Sequence, residues 1–289
     1  TPRTLFPYTT LFRSGTGSQF EMLKKLELSF DDHYILNEYC KEQGITFLST
    51  PFDFSSVDLL EKTNIPFYKI SSGDLTNIPF LQYIAKLNKP MIVSTGMANL
   101  GEIEAAINSI KECGNDKITL LHCTSNYPTT YEDVNLNAML TMKESFKLPV
   151  GYSDHTIGIE VSIAAVSMGA KIIEKHFTLD KNMQGPDHRA SLDPRELKSM
   201  VSSIRNIENA FGDGIKKCCK SEENSKITGR KSIVAKIDLM SGEELSFYNI
   251  AFKRPGNGIS PACLNEILGK KVLSKVKKDD TILSEKLSR

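Results

Sequence analysis

Little in this chain is present in excess. Lys and Arg number 36 against 35 Asp and Glu, a net charge of +1. The surplus of one sign that a polyanion-binding surface needs is therefore missing, which argues against nucleic acid as the main partner. An anionic small substrate is still allowed, because a few local Lys and Ser residues suffice to hold one. No apolar run approaches the roughly 18–20 residues of a membrane span, so no membrane partner is expected. The six cysteines, Cys40, Cys113, Cys123, Cys218, Cys219 and Cys263, include no Cys-x-x-Cys pair, and Cys218 and Cys219 are adjacent. That pattern fits a reduced, cytoplasmic protein rather than a disulfide framework. The Gly-x-Gly pairs at Gly15/Gly17 and Gly212/Gly214 follow no apolar strand, so the dinucleotide-binding turn of a doubly wound sheet is absent too.

What the chain does have is a repeated form. Six segments share it, each a short β-rich run and then Ser, Thr, Gly, Asp or His: Ile45–Asp53, Phe67–Asp74, Met91–Met97, Ile118–Pro128, Leu148–His155 and Ala170–Phe177. Helical stretches lie between them. A helix is expected over Asp31–Gln43, closed by Gly44. Another is expected after Asn99, where Glu102 completes a capping box and Leu100, Ile103, Ile107 and Ile110 share one stripe. A third is expected after Asp193, with Pro194 at its first position. Alternating βα units imply a parallel sheet with helices outside, and functional residues at every strand end favour a closed barrel. Six units leave two of eight to lie upstream. Residues 1–14 read as foreign to the fold, 15–212 as the barrel, 213–229 as a polar linker and 230–289 as a small β-rich cap.

Two histidines, His155 and His176, stand where successive strands run out into loops. Neighbouring parallel strands lie about 4.8 Å apart, so the two imidazoles could hold one divalent metal. Imidazole suits Mn, Zn or Fe alike, and the metal would polarise a carbonyl. Lys69 sits in a strand beside Ser71 and Ser72, where an anion is its natural partner, because a lysine buried unpaired is unfavourable. Thr50, Ser94, Thr95, Ser125 and Ser153 add hydroxyls around the same mouth, able to hold phosphate and carboxylate. Asp187, crowded by His188, Arg189 and Ser191, reads as a substrate contact. His122 reads as a hydrogen-bonded structural residue and Asp193 as an N-cap.

The ordered series STPFD, KISSGD, STGM, HCTSNYPT, GYSDHT, EKHFT and GPDHRASLDP, followed by RKSIVA and KRPGNGIS, resembles the sialic acid synthases. These are phosphoenolpyruvate-dependent enzymes that make N-acetylneuraminate and related nonulosonates. The resemblance implies an α/β fold, a (β/α)8 TIM barrel lacking its first two βα units in this chain, with a small SAF (antifreeze-like) domain after it, in a domain-swapped homodimer. It implies that His155 and His176 bind a divalent metal, Mn or Mg. It implies that Thr50, Lys69, Ser72, Ser94, Ser125 and Ser153 grip phosphoenolpyruvate, and that Asp74, Tyr127 and Asp187 contact the amino sugar with Phe52 against it. Arg254 would reach from the cap into the partner subunit's site. Asp74 stands where many members have Glu, and the family's Ile-Gly-x-Asn-His-like motif has no counterpart. The expected reaction joins phosphoenolpyruvate to N-acetylmannosamine, toward which GPDHRASL leans. The alternatives are a synthase for a sister sugar such as legionaminic acid, and an inactive fragment acting as a binding module.

Overall fold

The computed structural model describes residues 24, 26–185 and 187–288. The foreign segment expected at residues 1–14 lies outside them. The chain divides into two compact units, Thr1–Phe211 and Gly212–Arg289.

In the first unit five strands, β1 (Tyr68–Ile70), β2 (Met91–Ser94), β3 (Ile118–Cys123), β4 (Val150–Asp154) and β5 (Ile173–Lys175), form one parallel sheet in sequence order. Helices α1 (Phe30–Glu42) and α2 (Phe54–Lys62) precede it. Between the strands come α3 (Ile78–Ala85), α4 (Leu100–Glu112), the one-turn α5 (Tyr131–Val134), α6 (Asn137–Phe146) and α7 (Glu160–Ser167), and α8 (Pro194–Ala210) follows the sheet. The expected caps are present. Asn99 and Asp193 each accept a hydrogen bond from the backbone of Glu102 and Glu196, whose side chains return the bond. Gly44 takes φ +68° just past α1, a backbone that glycine adopts without steric penalty.

Strand alternation sorts the sheet's two faces. Tyr68, Ile70, Met91, Val93, Ile118, Leu120, Val150 and Tyr152 are buried in one core with Leu81, Ile84, Ile103, Ile110, Met142 and Ala165 from the helices. Each fully buried Leu, Ile, Val or Met in that layer contributes about 1.5–3 kcal/mol. The alternate residues point the other way. Lys69, Ile92, Leu121 and Glu174 line an inner cavity of about 400 Å³. The sheet curls, for Lys69 on β1 reaches Glu174 on β5, four strands away in sheet order, at 3.3 Å.

The sixth expected strand, Ile45–Asp53, is not one. Residues 45–52 run without regular structure. A strand exists only where its N–H and C=O groups meet a neighbour in register, Pro51 offers no N–H, and no ladder joins this run among the described residues. Thr50 and Phe52 therefore sit on a loop.

Gly151 is the tightest point of the curl. A Cβ there would lie 2.5 Å from the Ile172 carbonyl oxygen and 2.7 Å from Leu121 Cδ2, so β4 must move away from β5 to admit one. Gly151→Ala is expected to lower stability by about 1–3 kcal/mol. A urea midpoint equal to that of the unaltered chain would show that the strands yield freely.

In the second unit β6 (Ser232–Ala235) and β7 (Ile250–Lys253) are antiparallel. Isolated bridges such as Val234–Thr281 and Leu239–Val276 extend the pairing. Ile233, Leu239, Leu245, Ile250, Val272, Val276 and Ile282 form its own core. The stretch expected as a linker carries a short helix, α9 (Glu223–Gly229), and α10 (Leu264–Ile267) follows β7. The α9 residues are all exposed, in keeping with the lack of apolar anchors, and the Ile227 carbonyl accepts from the Gly256 N–H at 2.7 Å. No helix among the described residues is long and apolar enough to cross a membrane.

Candidate active site

The carboxyl ends of the five strands open on a cavity of about 510 Å³ in the first unit. β1 and the turn after it supply Lys69, Ser71 and Ser72, β2 supplies Ser94, and β3 supplies Cys123. From β4 come Ser153 and His155, and from β5 Glu174 and His176. Thr50, Phe52, Tyr127 and Asp187 arrive on loops. The period of two explains the selection: Ser153 and His155 share one face of β4, and Glu174 and His176 share one face of β5.

A polar chain crosses the floor. Ser153 Oγ donates to Glu174 Oε2 at 2.6 Å, and Glu174 Oε1 lies 3.3 Å from Lys69 Nζ. Lys69 also donates to its neighbouring Ile70 carbonyl, and its side chain is only 12 % exposed. One carboxylate thus orients a hydroxyl and an ammonium toward the same space. Among the described residues Ser94 Oγ is buried with no hydrogen-bond partner, and so is Ser125 Oγ. A buried hydroxyl without a partner is unfavourable unless a ligand or water completes it. Gly96, at the mouth, admits no side chain: a Cβ would collide with Ser125 Oγ and Ser72 Oγ. Its N–H donates to Ser72 Oγ at 3.0 Å.

The two imidazoles stand edge to face with centroids 5.4 Å apart, and Tyr127 packs on both, at 4.0 Å from His155 and 5.4 Å from His176. His155 Nδ1 lies 2.8 Å from the Thr124 carbonyl. A carbonyl only accepts, so Nδ1 carries the proton and Nε2 keeps its lone pair. Burial pushes the His155 pKa down to about 4, so the ring is neutral around pH 7. His176 Nδ1 stands 3.7 Å from Asp187 Oδ2. Burial also raises the Cys123 thiol, which leaves it a poor nucleophile.

This donor set fits a divalent cation. A neutral imidazole whose other nitrogen is held by a carbonyl is the state a metal-binding histidine takes. Among the described residues no third His, Cys, Asp or Glu joins a cluster that could hold a metal, so substrate or water oxygens would complete the shell.

Ten of the residues singled out from sequence line this one cavity: Thr50, Phe52, Lys69, Ser72, Ser94, Tyr127, Ser153, His155, His176 and Asp187. Three do not. Asp74 is buried in its own turn, where its carboxylate accepts from Ser71 Oγ at 2.7 Å. Ser125 lines a neighbouring hollow between the loops after β2 and β3. Arg254 belongs to the second unit, exposed on the loop after β7. His122 is bonded through Nε2 to the Val134 carbonyl at 2.8 Å, a structural contact. Sequence reasoning passed over Glu174, although its position two residues before His176 on one strand was a sufficient signal. Cys123 had no such signal, since Ser125 two residues on lies outside this cavity and the register that sets Cys123 opposite Ser153 comes from the fold.

A family model described as the NeuB family matches residues 7–216, and one described as the SAF domain matches residues 230–288. The chain is 53% identical over 278 residues to the N,N'-diacetyllegionaminic acid synthase of Campylobacter jejuni subsp. jejuni serotype O:2, covering 96% of this chain and 83% of that protein. It is 38% identical over 284 residues to the N-acetylneuraminate-9-phosphate synthase of Homo sapiens, covering 96% and 78%. Among solved structures, the N-acetylneuraminic acid (sialic acid) synthetase of Leptospira borgpetersenii serovar Hardjo-bovis, in complex with citrate, superposes with a TM-score of 0.68 at 34% identity, covering 75% of this chain and 76% of that one.

Proposed function

This chain belongs to the NeuB family of nonulosonic acid synthases, and on that premise we propose that it condenses phosphoenolpyruvate with a six-carbon aldose bearing two acetamido groups. The product would be an N,N'-diacetyllegionaminic acid, released with inorganic phosphate. The acceptor follows from carbon count. Phosphoenolpyruvate contributes three carbons, so a nine-carbon diacetamido product leaves a six-carbon diacetamido aldehyde. This reading supersedes N-acetylmannosamine as the expected acceptor, on the difference between 53% identity to the diacetyllegionaminate enzyme and 38% to the neuraminate-9-phosphate enzyme.

The observation that carries the reaction class is the convergence of the Lys69–Glu174–Ser153 chain, the unpartnered Ser94 hydroxyl and the His155–His176 pair on one cavity. Lys69 and the hydroxyls hold the phosphate and carboxylate of phosphoenolpyruvate, and Glu174 fixes the direction of Lys69 and Ser153. A divalent cation held by His155 and His176 would polarise the aldehyde oxygen of the acceptor. Phosphoenolpyruvate C3 then attacks the aldehyde carbon, water adds at C2, and the resulting tetrahedral centre collapses by C–O cleavage to release phosphate. Fixed donors facing the developing charge supply the large term. Asp187 and Tyr127, which lie beside His176, would meet the sugar.

Phosphate release from phosphoenolpyruvate, measured with Mn²⁺ and each acceptor in turn, tests the reading. We expect kcat/KM for the diacetamido aldose to exceed that for N-acetylmannosamine by about tenfold or more, because a site built around a second amide leaves polar groups unpaired without it. Equal or better use of N-acetylmannosamine would return the assignment to a neuraminate synthase. Turnover of neither, in a folded chain, would favour a binding module.

A further inference from the structure

The parallel register of β4 and β5 places Ser153 opposite Glu174 and Asp154 opposite Lys175. One step further on each chain stand His155 and His176. The middle pair is nearly sealed from water, with side chains 0 % exposed for Asp154 and 3 % for Lys175, and Lys175 borders the cavity from behind the histidines. Lys175 Nζ lies 2.9 Å from Asp154 Oδ2. The same carboxylate oxygen accepts from Ser162 Oγ on α7 at 2.6 Å. The other oxygen accepts from both the N–H and the hydroxyl of Thr156, at 2.9 and 2.8 Å. Lys175 closes the loop by donating to the Thr156 carbonyl at 2.5 Å. The residue directly after His155 is thus gripped at its N–H, its hydroxyl and its C=O, by the residues directly before each histidine.

We propose that the Asp154–Lys175 pair is a positioning device that sets the separation of His155 and His176 and so the affinity of the site for a divalent cation. The inference rests on the reading of these histidines as cation ligands. A buried ion pair is weak evidence for stability, since well-packed apolar residues often serve as well. Its directional bonds instead tie the ends of the two strands to each other where their own ladder stops, while the N–H groups of Thr129 and Leu192 hold the carbonyls of His155 and His176 from other segments, each at 2.9 Å. Groups that orient metal ligands from behind change affinity by about 10- to 100-fold when replaced.

Removing one partner leaves an uncompensated buried charge, so the test uses the double variant Asp154→Asn/Lys175→Met in the full chain. Free Mn²⁺ is followed by electron paramagnetic resonance. We expect the Mn²⁺ Kd to rise about 10- to 100-fold while circular dichroism shows a folded chain. Ile110→Ala, a cavity in the core of α4 far along the chain from the histidines, is the stability control and should leave the Kd unchanged. Thr156→Val removes one hydroxyl and keeps the ion pair, so it folds where the double variant fails to. It should weaken Mn²⁺ by roughly threefold, the effect of one net hydrogen bond. An unaltered Kd in both Thr156→Val and the folded double variant overturns the positioning role alone. An unaltered Kd in Thr156→Val overturns it equally if the double variant does not fold. A wild-type chain that takes no Mn²⁺ overturns the ligand reading and this proposal with it.

Discussion

Replacement of His155 by alanine is expected to lower turnover by about 10²–10³-fold and to weaken Mn²⁺ in parallel. The magnitude is that of removing one fixed electrophilic group from a transition state that develops charge. His155 is the better anchored of the two imidazoles, held by the Thr124 carbonyl with the Tyr127 ring tilted against it. His122→Gln is the matched control, since that ring is tied to the Val134 carbonyl on α5. Its variant should change stability by about 1–3 kcal/mol and leave kcat near that of the unaltered enzyme. A His155→Ala enzyme within threefold of the parent would remove the histidine pair from the mechanism.

Lys69→Met should reduce kcat/KM for phosphoenolpyruvate by roughly 10²-fold, because the ammonium is a cation of the cavity floor and ionised hydrogen bonds are about twice as strong as neutral ones. The variant alone is ambiguous, for it also strips Glu174 of its partner at 3.3 Å. The cycle with Glu174→Gln separates the two effects. If Lys69 serves only to neutralise Glu174, the double variant recovers most of the activity. If it meets the substrate anion, the double variant stays slow, and that is the outcome we expect. Recovery to within about threefold would reassign Lys69 to the support of Glu174.

Much of this is legible in the order of residues. Helices capped by Asn99 and Asp193 and the strand-end positions of Lys69, Ser153, His155 and His176 rest on near-neighbour rules, in which spacings of three, four and two residues carry the information. The same rules failed at Ile45–Asp53, whose composition is that of a strand but which forms no ladder among the described residues. Strand formation depends on a partner as much as on the residues themselves. They failed again at Asp74, a carboxylate that sequence order sets beside Ser72 and Lys69. In the folded chain it is turned into a local hydrogen bond with Ser71, because a short acidic side chain in a tight turn is satisfied most readily by its own backbone neighbourhood.

Residue order alone carries the alternation of strand and helix, the two-unit division near residue 212, and the pair of histidines at successive strand ends. That Lys69 meets Glu174, and that Asp154 meets Lys175 beneath the histidines, comes from the folded chain. Local propensity is settled within a turn or two of chain. The curl that brings β1 to β5 accumulates over every strand between them, and the register that aligns β4 with β5 depends on helices packed outside both.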